Sequence, residues 1–232
     1  MNNTTIKEFY NHVQFPGPYD MQGLAYHMPY IRNPYLSLID KCMTGTQSVL
    51  DVGCGSGLIS NLFGMRYPDS KFVSVDFSNG IDYAKAFANE NNITNIKYKK
   101  QDFLTFKSKK QFDVIICQGV LHHIPDTDLA IENIIKLLKP GGLLVLGVYH
   151  PLGKLLKTMV NLNYKNRVLY EDQELNPFEL AFTKAKVVQQ FSLLDQIDQW
   201  PKNIIGHAAK HPISFSRSGG LVGYVFTKTC YN

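Results

Sequence analysis

Apolar and polar positions between residues 45 and 150 follow two different patterns. Five short runs have the length of strands, and four of them are rich in Val, Ile, Leu or Phe. Between them, apolar residues recur every three or four positions, which predicts amphipathic helices. This alternation predicts right-handed crossovers and a parallel sheet covered by helices on both faces. The predicted strands are SVLDVG (48–53), KFVSVDF (71–77), NIKYKK (95–100), QFDVIICQG (111–119) and GLLVLGVYH (142–150).

The segments between and after these strands carry recognisable boundary residues. Helices are predicted over 58–66, 79–92 and from 126 onward. Asp126 stands where the N-cap of the last helix belongs, and Pro140-Gly141 ends that helix. Near the C-terminus, HPISFSRSGGLVGYVFTKT predicts two strands around a Gly-Gly turn, hence a terminal hairpin.

Composition narrows the class of protein. The 232 residues are 44% hydrophobic and 19% charged, as in globular proteins, and a chain of this length buries a core without disulfides. The four cysteines lack CxxC spacing, which favours reduced thiols and a cytoplasmic location. Neither a signal-peptide pattern nor an apolar run of about 18 residues is present, so we expect no membrane span. The formal net charge of +5 is spread over scattered lysines, which disfavours nucleic-acid binding.

The stretch VLDVGCGSGLIS, residues 49–60, carries the strongest chemical signal. Gly53, Gly55 and Gly57 alternate directly after the first predicted strand. A turn from strand into helix presents free backbone N–H groups, and glycines let a ligand approach them closely. The dinucleotide fingerprint is GxGxxG, but this loop is GxGxG, and Leu58 stands where the third dinucleotide glycine belongs.

Two carboxylates follow the next two predicted strands. Asp76 ends the second strand, where a carboxylate can accept hydrogen bonds from both hydroxyl groups of a ribose. Asp102 follows the third strand and could receive the exocyclic amine of adenine. Phe77 and Phe103 stand beside these acids and could enclose a flat base. The alternative interpretation is that each acid only caps the helix or turn that follows it.

These features resemble the motifs of class I S-adenosylmethionine-dependent methyltransferases. VLDVGCGSG, VSVDFS, QDF, FDVIICQGVLHHIPD and LLKPGGLLVLGVYH are similar to the first to fifth motifs of that family, in order and spacing. The resemblance implies S-adenosylmethionine as cofactor, with Asp51 and the three glycines at its methionine part. It also implies Asp76 at the ribose and Asp102 with Phe103 at the adenine. Gln118 is expected near the amino acid part through its backbone.

The resemblance covers about residues 45–150 and implies a fold class. We expect an α/β, Rossmann-like, doubly wound and mostly parallel seven-stranded sheet, with an antiparallel terminal hairpin strand and a helical cap. The chain is then one methyltransferase domain in four parts. These are an N-terminal helical cap (1–45), a cofactor-binding core (46–150), a helical substrate cap (151–205) and a terminal β-hairpin (206–232).

Candidate catalytic residues follow the fourth predicted strand. Methyl transfer is an in-line displacement, which needs a base only where the acceptor must lose a proton. His122 and His123 are adjacent, so at most one is expected to point at the substrate, and the alternative is that the pair buttresses the loop. Tyr19 in FPGPYD is a third candidate. We expect no metal site, because no carboxylate or cysteine has a useful ligand spacing to these histidines and His150.

The predicted contacts of the methyl acceptor are Tyr10, His150 and Arg217. Arg217 precedes the Gly-Gly turn, which lies at the catalytic edge if the first hairpin strand is parallel; it either pairs with an acidic substrate or stays a solvated turn residue. The aromatic residues of the flanks either line an apolar pocket or pack helices on the sheet. They are Tyr10, Phe15, Tyr19, Tyr26, Tyr30 and Phe178.

Three functions fit the sequence to different degrees. The favoured one is an enzyme that methylates an oxygen or nitrogen nucleophile of a small molecule. A tRNA-modifying methyltransferase is the alternative, weakened by the scattered basic charge. A nicotinamide-dependent dehydrogenase or a non-catalytic nucleotide-binding protein is disfavoured, the former because Leu58 replaces a glycine.

Overall fold

The computed structural model describes residues 3–27, 34–160, 178–211, 215 and 220–229. They build one mixed sheet of seven strands in the order β3-β2-β1-β4-β5-β7-β6. The strands are β1 (Ser48–Val52), β2 (Lys71–Asp76), β3 (Ile96–Lys100), β4 (Phe112–Gln118), β5 (Leu138–Tyr149), β6 (Asp195–Trp200) and β7 (Leu221–Thr227).

The helices of the core lie where they were predicted, but the helix after Asp126 ends at Leu137, and Pro140-Gly141, predicted to end it, belongs to β5. The helix after β1 has the predicted bounds, and the Asp126 carboxylate accepts a hydrogen bond from the N–H of Leu129 at 3.1 Å, as expected of an N-cap. No helix in the described ranges is long and apolar enough to cross a bilayer. The helices are α1 (Asn3–His12), α2 (Met21–His27), α3 (Pro34–Cys42), α4 (Leu58–Arg66), α5 (Gly80–Glu90), α6 (Thr127–Leu137), α7 (Pro151–Val160), α8 (Lys184–Gln190) and α9 (Ile204–Lys210).

The topology gathers the loops that bear polar motifs along one edge of the sheet. Strands β1 to β5 are parallel, so their carboxyl ends meet at that edge. β7 is antiparallel to β5 and pairs Leu221 with Tyr149, which brings its first residue to the same edge. This arrangement confirms the predicted fold class. Ligands of doubly wound sheets bind where the strand order reverses, which here lies between β1 and β4.

The antiparallel pair at the far end of the sheet differs from the predicted hairpin. β7 pairs with β6, which lies inside the segment predicted to be helical, and α9 intervenes where the hairpin was predicted to begin. The prediction missed β6 because DQIDQW is mostly polar and gives no apolar periodicity; its Ile197 lies at a register shift and is 56% exposed. Residues 212–214 and 216–219, with Arg217, lie outside the described residues.

Apolar side chains cover both faces of the sheet. On one face, α6 packs Ile131 and Ile134 into a cluster with side chains of β1, β4, β5 and β7. On the other, Phe63 of α4 and Phe87 of α5 pack with Ile39 of α3. Because helices cover both faces of the sheet, a ligand site is left to its edges. At the carboxyl edge, backbone and polar groups of several loops surround a cavity.

Candidate active site

A cavity of about 820 Å³, including its open mouth, lies at the carboxyl edge of the sheet. The loops after β1, β2, β3 and β4 form one side, and residues from α1 and the segment after it form the other. The predicted site residues that line it are Tyr10, Gly53, Gly55, Asp76, Phe77, Asp102, Phe103, Gln118 and His123.

The glycines of the loop after β1 do not all serve the cavity. Gly53 lines it with φ 67°, and a Cβ there would lie 2.5 Å from Cγ2 of Val120. Gly57 does not line the cavity; a Cβ there would lie 2.4 Å from the Cβ of Ala84, so this glycine lets α4 and α5 pack closely. Helix packing therefore explains the glycine at position 57 without a ligand.

Asp76 joins the glycine loop to the end of β2. Its Oδ2 accepts a hydrogen bond from the N–H of Gly55 at 2.8 Å. Its Oδ1 accepts one from the N–H of Ser78 at 2.7 Å and one from the Ser78 hydroxyl at 2.6 Å. The carboxylate is thus fixed in the cavity wall with its charge satisfied by three donors.

Asp102, Phe77 and Phe103 line the cavity, next to the strand ends from which their positions were predicted. The Asp102 carboxylate accepts a hydrogen bond from the N–H of Leu104 at 2.9 Å, so it caps the short 3₁₀ turn that follows while also lining the cavity. Phe103 is 6% exposed and its ring stacks near that of Phe106. Phe77 lies across from Tyr10, with ring centroids 6.3 Å apart. Asp102 therefore both caps this turn and lines the cavity.

Asp51 lies behind the glycine loop rather than in the cavity wall. It is 2% exposed, and its Oδ2 accepts a hydrogen bond from the Ser60 hydroxyl at 2.5 Å. That hydroxyl is also 2.7 Å from the Ser74 hydroxyl. Burial raises the pKa of Asp51 to about 7; the Ser60 hydrogen bond opposes this rise and nearby Asp76 adds to it.

Replacing Asp51 by Asn is expected to change how stability depends on pH. Because the folded-state pKa is raised above the unfolded value of 3.8, protonated Asp51 stabilises the fold fully below about pH 4, and this contribution is lost as pH rises through about 7. The unfolding free energy of wild type minus that of Asp51→Asn should fall by about 2–4 kcal/mol over this window. Urea unfolding of both proteins from pH 4 to 8 measures it; parallel pH curves would contradict the raised pKa.

Gln118, the last residue of β4, lines the cavity, and its side chain packs against the neighbouring strand. It pairs with Gly147 of β5, and a Cβ on Gly147 would lie 2.4 Å from the Gln118 Nε2 and Oε1 atoms. The side-chain amide therefore lies flat in the space that Gly147 leaves. Its Nε2 is buried and has no hydrogen-bond partner within the described part of the chain.

The two histidines have different environments. His123 lines the cavity, and its Nδ1 lies 3.0 Å from the carbonyl oxygen of Phe178. A carbonyl only accepts, so Nδ1 carries the proton and Nε2 of the neutral ring keeps the lone pair. His122 is fully buried, and its ring stacks on that of Tyr149 with centroids 3.9 Å apart. These contacts indicate a structural role for His122. Across the described ranges, no group of three or more His, Cys, Asp or Glu could hold a metal ion.

Tyr19 and His150 do not line the cavity. The Tyr19 hydroxyl is hydrogen-bonded within the protein, 3.0 Å from the Ser56 carbonyl oxygen. Nδ1 of His150 accepts a hydrogen bond from the N–H of Leu152 at 3.2 Å, at the N-terminus of α7, and burial lowers the pKa of His150. These contacts give Tyr19 and His150 structural roles in place of the predicted catalytic and substrate-binding roles. The side chains of Arg217, Tyr26 and Tyr30 lie outside the described residues.

Several lining residues were not singled out from the sequence. Ile6 lies one helical turn before Tyr10 on α1, and that spacing was a usable signal. Ser78 and Gln101 follow strand ends, whereas Val120 and Ile124 are apolar loop residues with no distinguishing pattern. Phe15 was among the aromatic candidates and does line the cavity.

A family model described as methyltransferase domain matches residues 44–204. The chain belongs to this family. The match confirms the resemblance that the five motifs indicate. Within this methyltransferase domain, the matched range begins just before β1 and includes all the strands except β7.

Curated relatives match the methyltransferase core. Ubiquinone biosynthesis O-methyltransferase of Coxiella burnetii is 37% identical over 119 residues, which are 50% of this chain and 45% of that protein. The enzyme of the same name from Rickettsia bellii is 37% identical over 98 residues, 42% of this chain and 40% of that protein. The chain therefore spans less than half the length of these relatives.

Solved structures share the fold over most of the chain. The 1,6-didemethyltoxoflavin-N1-methyltransferase of Burkholderia thailandensis, solved with 1,6-didemethyltoxoflavin and S-adenosylhomocysteine, has a TM-score of 0.67 at 14% identity and covers 98% of this chain and 89% of its own. The N-methyltransferase NodS of Bradyrhizobium japonicum, solved with S-adenosylhomocysteine, has a TM-score of 0.59 at 17% identity and covers 97% of each chain.

Proposed function

We propose that the protein transfers a methyl group from S-adenosylmethionine to an oxygen or nitrogen atom of a small molecule. The observation that carries this proposal is the convergence of the glycine loop, Asp76 and Asp102 on one cavity in a chain of the methyltransferase family. The ubiquinone O-methyltransferases among its relatives and the N-methyltransferases among its structural neighbours act on small molecules by name, which supports the acceptor class.

The lining residues suit this cofactor chemically. A carboxylate has about four acceptor positions, and protein donors occupy three on Asp76, which leaves room for a ribose hydroxyl. Of the described lining residues, the charged ones are Asp76 and Asp102, with no Lys or Arg. Such a wall favours a ligand with positive charge. When bound, the cofactor supplies a methyl group activated by a positively charged sulfur.

Asp51 and Gln118 are proposed to act near the amino acid part of the cofactor. Asp51 lies directly behind the glycine loop, where its negative form would attract an ammonium group through the loop or a water. The buried Gln118 Nε2 needs an acceptor, because an unsatisfied buried donor is costly. A carboxylate or carbonyl oxygen of a ligand in the cavity would supply one.

His123 is proposed as the general base. Its Nδ1 lies against the Phe178 carbonyl, so Nε2, which is buried in this structure, is the ring atom assigned to take a proton from the acceptor as the methyl group is transferred. Tyr10, whose ring centroid lies 5.9 Å from that of His123, is proposed to contact the acceptor. The apolar side chains around them, such as Ile6 and Ile124, would exclude water from the reacting atoms.

A cytoplasmic location remains our proposal, supported by the state of the thiols. Cys42, Cys54 and Cys117 are free and buried, and burial raises the pKa of Cys117 to about 12. Buried thiols of high pKa are inert and persist in a reducing compartment. Cys230 lies outside the described residues.

A methyl-transfer screen tests the proposed function. The purified protein is incubated with S-adenosylmethionine labelled in the methyl group and with separate pools of phenols, amines, carboxylic acids and tRNA. We expect label in a phenol or an amine. Label in tRNA alone would contradict the small-molecule assignment, and label in no pool with no cofactor consumed would contradict methyl transfer.

A further inference from the structure

Residues 15–19, FPGPY, cross the glycine loop, and we call them the strap. The carbonyl oxygen of Phe15 accepts a hydrogen bond from the N–H of Ser56 at 3.0 Å. The carbonyl oxygen of Gly17 accepts another from the Ser56 hydroxyl at 3.0 Å. A Cβ on Gly55 would lie 2.2 Å from the Phe15 carbonyl oxygen, so only glycine at this position allows the strap to dock.

Tyr19 ends the strap and fastens it by its side chain. Its hydroxyl donates a hydrogen bond to the carbonyl oxygen of Ser56 at 3.0 Å and accepts one from Nδ2 of Asn61 at 2.8 Å. Asn61 is in turn held by the hydroxyl of Tyr98, 2.7 Å from its Oδ1. Burial raises the pKa of Tyr19, so the hydroxyl keeps the proton that it donates.

The backbone of Tyr19 is fastened as well. Its N–H donates a hydrogen bond to the hydroxyl of Tyr83 at 2.9 Å, and that hydroxyl is also bonded to the Tyr19 carbonyl oxygen. The Tyr19 ring packs against Phe87 with centroids 4.8 Å apart. Tyr83 and Phe87 belong to α5, so the end of the strap is attached to two elements of the core, α4 through Asn61 and α5.

The docked strap forms part of the cavity wall. Phe15 lines the cavity, and so do Ile6 and Tyr10 of α1, which directly precedes the strap. The N–H of Asn79, beyond β2, donates a hydrogen bond to the Asn11 side chain at 3.0 Å. Lifting the strap would therefore remove the wall that faces the ends of the strands.

We propose that Tyr19 is a positioning residue that latches the strap onto the glycine loop and thereby sets the lifetime of the bound cofactor. The inference rests on the proposed function, since it takes the cavity to hold S-adenosylmethionine. Tyr19 touches no reacting atom in this account; it acts through Ser56 and the wall residue Phe15.

The variant Tyr19→Phe tests the latch. It removes both hydroxyl hydrogen bonds and keeps the ring in its packing site. We expect S-adenosylhomocysteine to dissociate roughly tenfold faster in stopped-flow displacement, the effect of losing one to two hydrogen bonds. Hydrogen exchange of the Ser56 amide should accelerate as well, because that amide is covered only while the strap is docked.

Two further variants distinguish the latch from general destabilisation. Tyr83→Phe loosens the same strap and should also speed dissociation. Tyr67→Phe removes a hydroxyl that is 2.6 Å from Oδ1 of Asp40, away from the cavity, and should leave dissociation unchanged. Wild-type dissociation rates and Ser56 exchange in both strap variants would overturn the latch. A wild-type protein that binds no S-adenosylhomocysteine would instead contradict the proposed function.

Discussion

Replacing Asp76 by Ala is expected to weaken S-adenosylhomocysteine binding by about a hundredfold or more. The carboxylate holds the N–H of Gly55 in the glycine loop, and we assign it a ribose hydroxyl group as well. Hydrogen bonds to a charged group contribute about 1.5–3 kcal/mol each, and 1.4 kcal/mol corresponds to a tenfold change in affinity. Titration calorimetry of the variant measures the loss.

Asp113→Ala is the matched control for this experiment. Asp113 lies near the amino end of β4, where its carboxylate accepts hydrogen bonds from the Ser48 N–H at 2.8 Å and the Ser48 hydroxyl at 2.6 Å. It also pairs with Lys139 at 2.7 Å. This variant should lose stability and keep wild-type affinity for S-adenosylhomocysteine. Wild-type affinity in Asp76→Ala would remove Asp76 from the cofactor site.

Replacing His123 by Asn is expected to lower kcat by about a hundredfold, within the usual range for loss of a general base. Asn cannot take up the proton that the lone pair on Nε2 is assigned to accept. Because the glycine loop, Asp76 and Asp102 lie on other loops, affinity for S-adenosylhomocysteine should stay at the wild-type value. Initial rates with an acceptor found in the methyl-transfer screen, together with calorimetry, separate the two effects.

The adjacent histidine provides the comparison. His122 is fully buried against Tyr149, so His122→Asn should lower the free energy of unfolding and alter kcat per folded molecule only slightly. An unchanged kcat in His123→Asn, or a larger kcat loss in His122→Asn than in His123→Asn, would show that the assignment of the base is wrong.

The core of the fold was predictable because its strands are buried on both faces. Continuous apolar runs such as VIIC of β4 and LLVL of β5 leave little ambiguity, and parallel strands force their carboxyl ends together. Asp76, Asp102 and Phe77 could therefore be placed at one edge without coordinates. Their position depends on strand ends, which local sequence encodes.

The predictions that failed concern residues whose contacts lie far away in the sequence. Tyr19 looked like a cap residue over substrate, but its hydroxyl binds Ser56 and Asn61, which no local pattern reveals. β6 is polar and exists because β7 pairs with it. The slot for the Gln118 amide requires Gly147 on a neighbouring strand, so a role for its side chain could not be predicted from VIICQG alone.

Titration of the wild-type protein with S-adenosylhomocysteine tests whether this cavity holds the methyl donor. We expect saturable binding to one site with a dissociation constant on the order of micromolar, and loss of that binding in Asp76→Ala. No detectable heat and no thermal stabilisation at millimolar ligand would contradict the assignment of this cavity to the methyl donor.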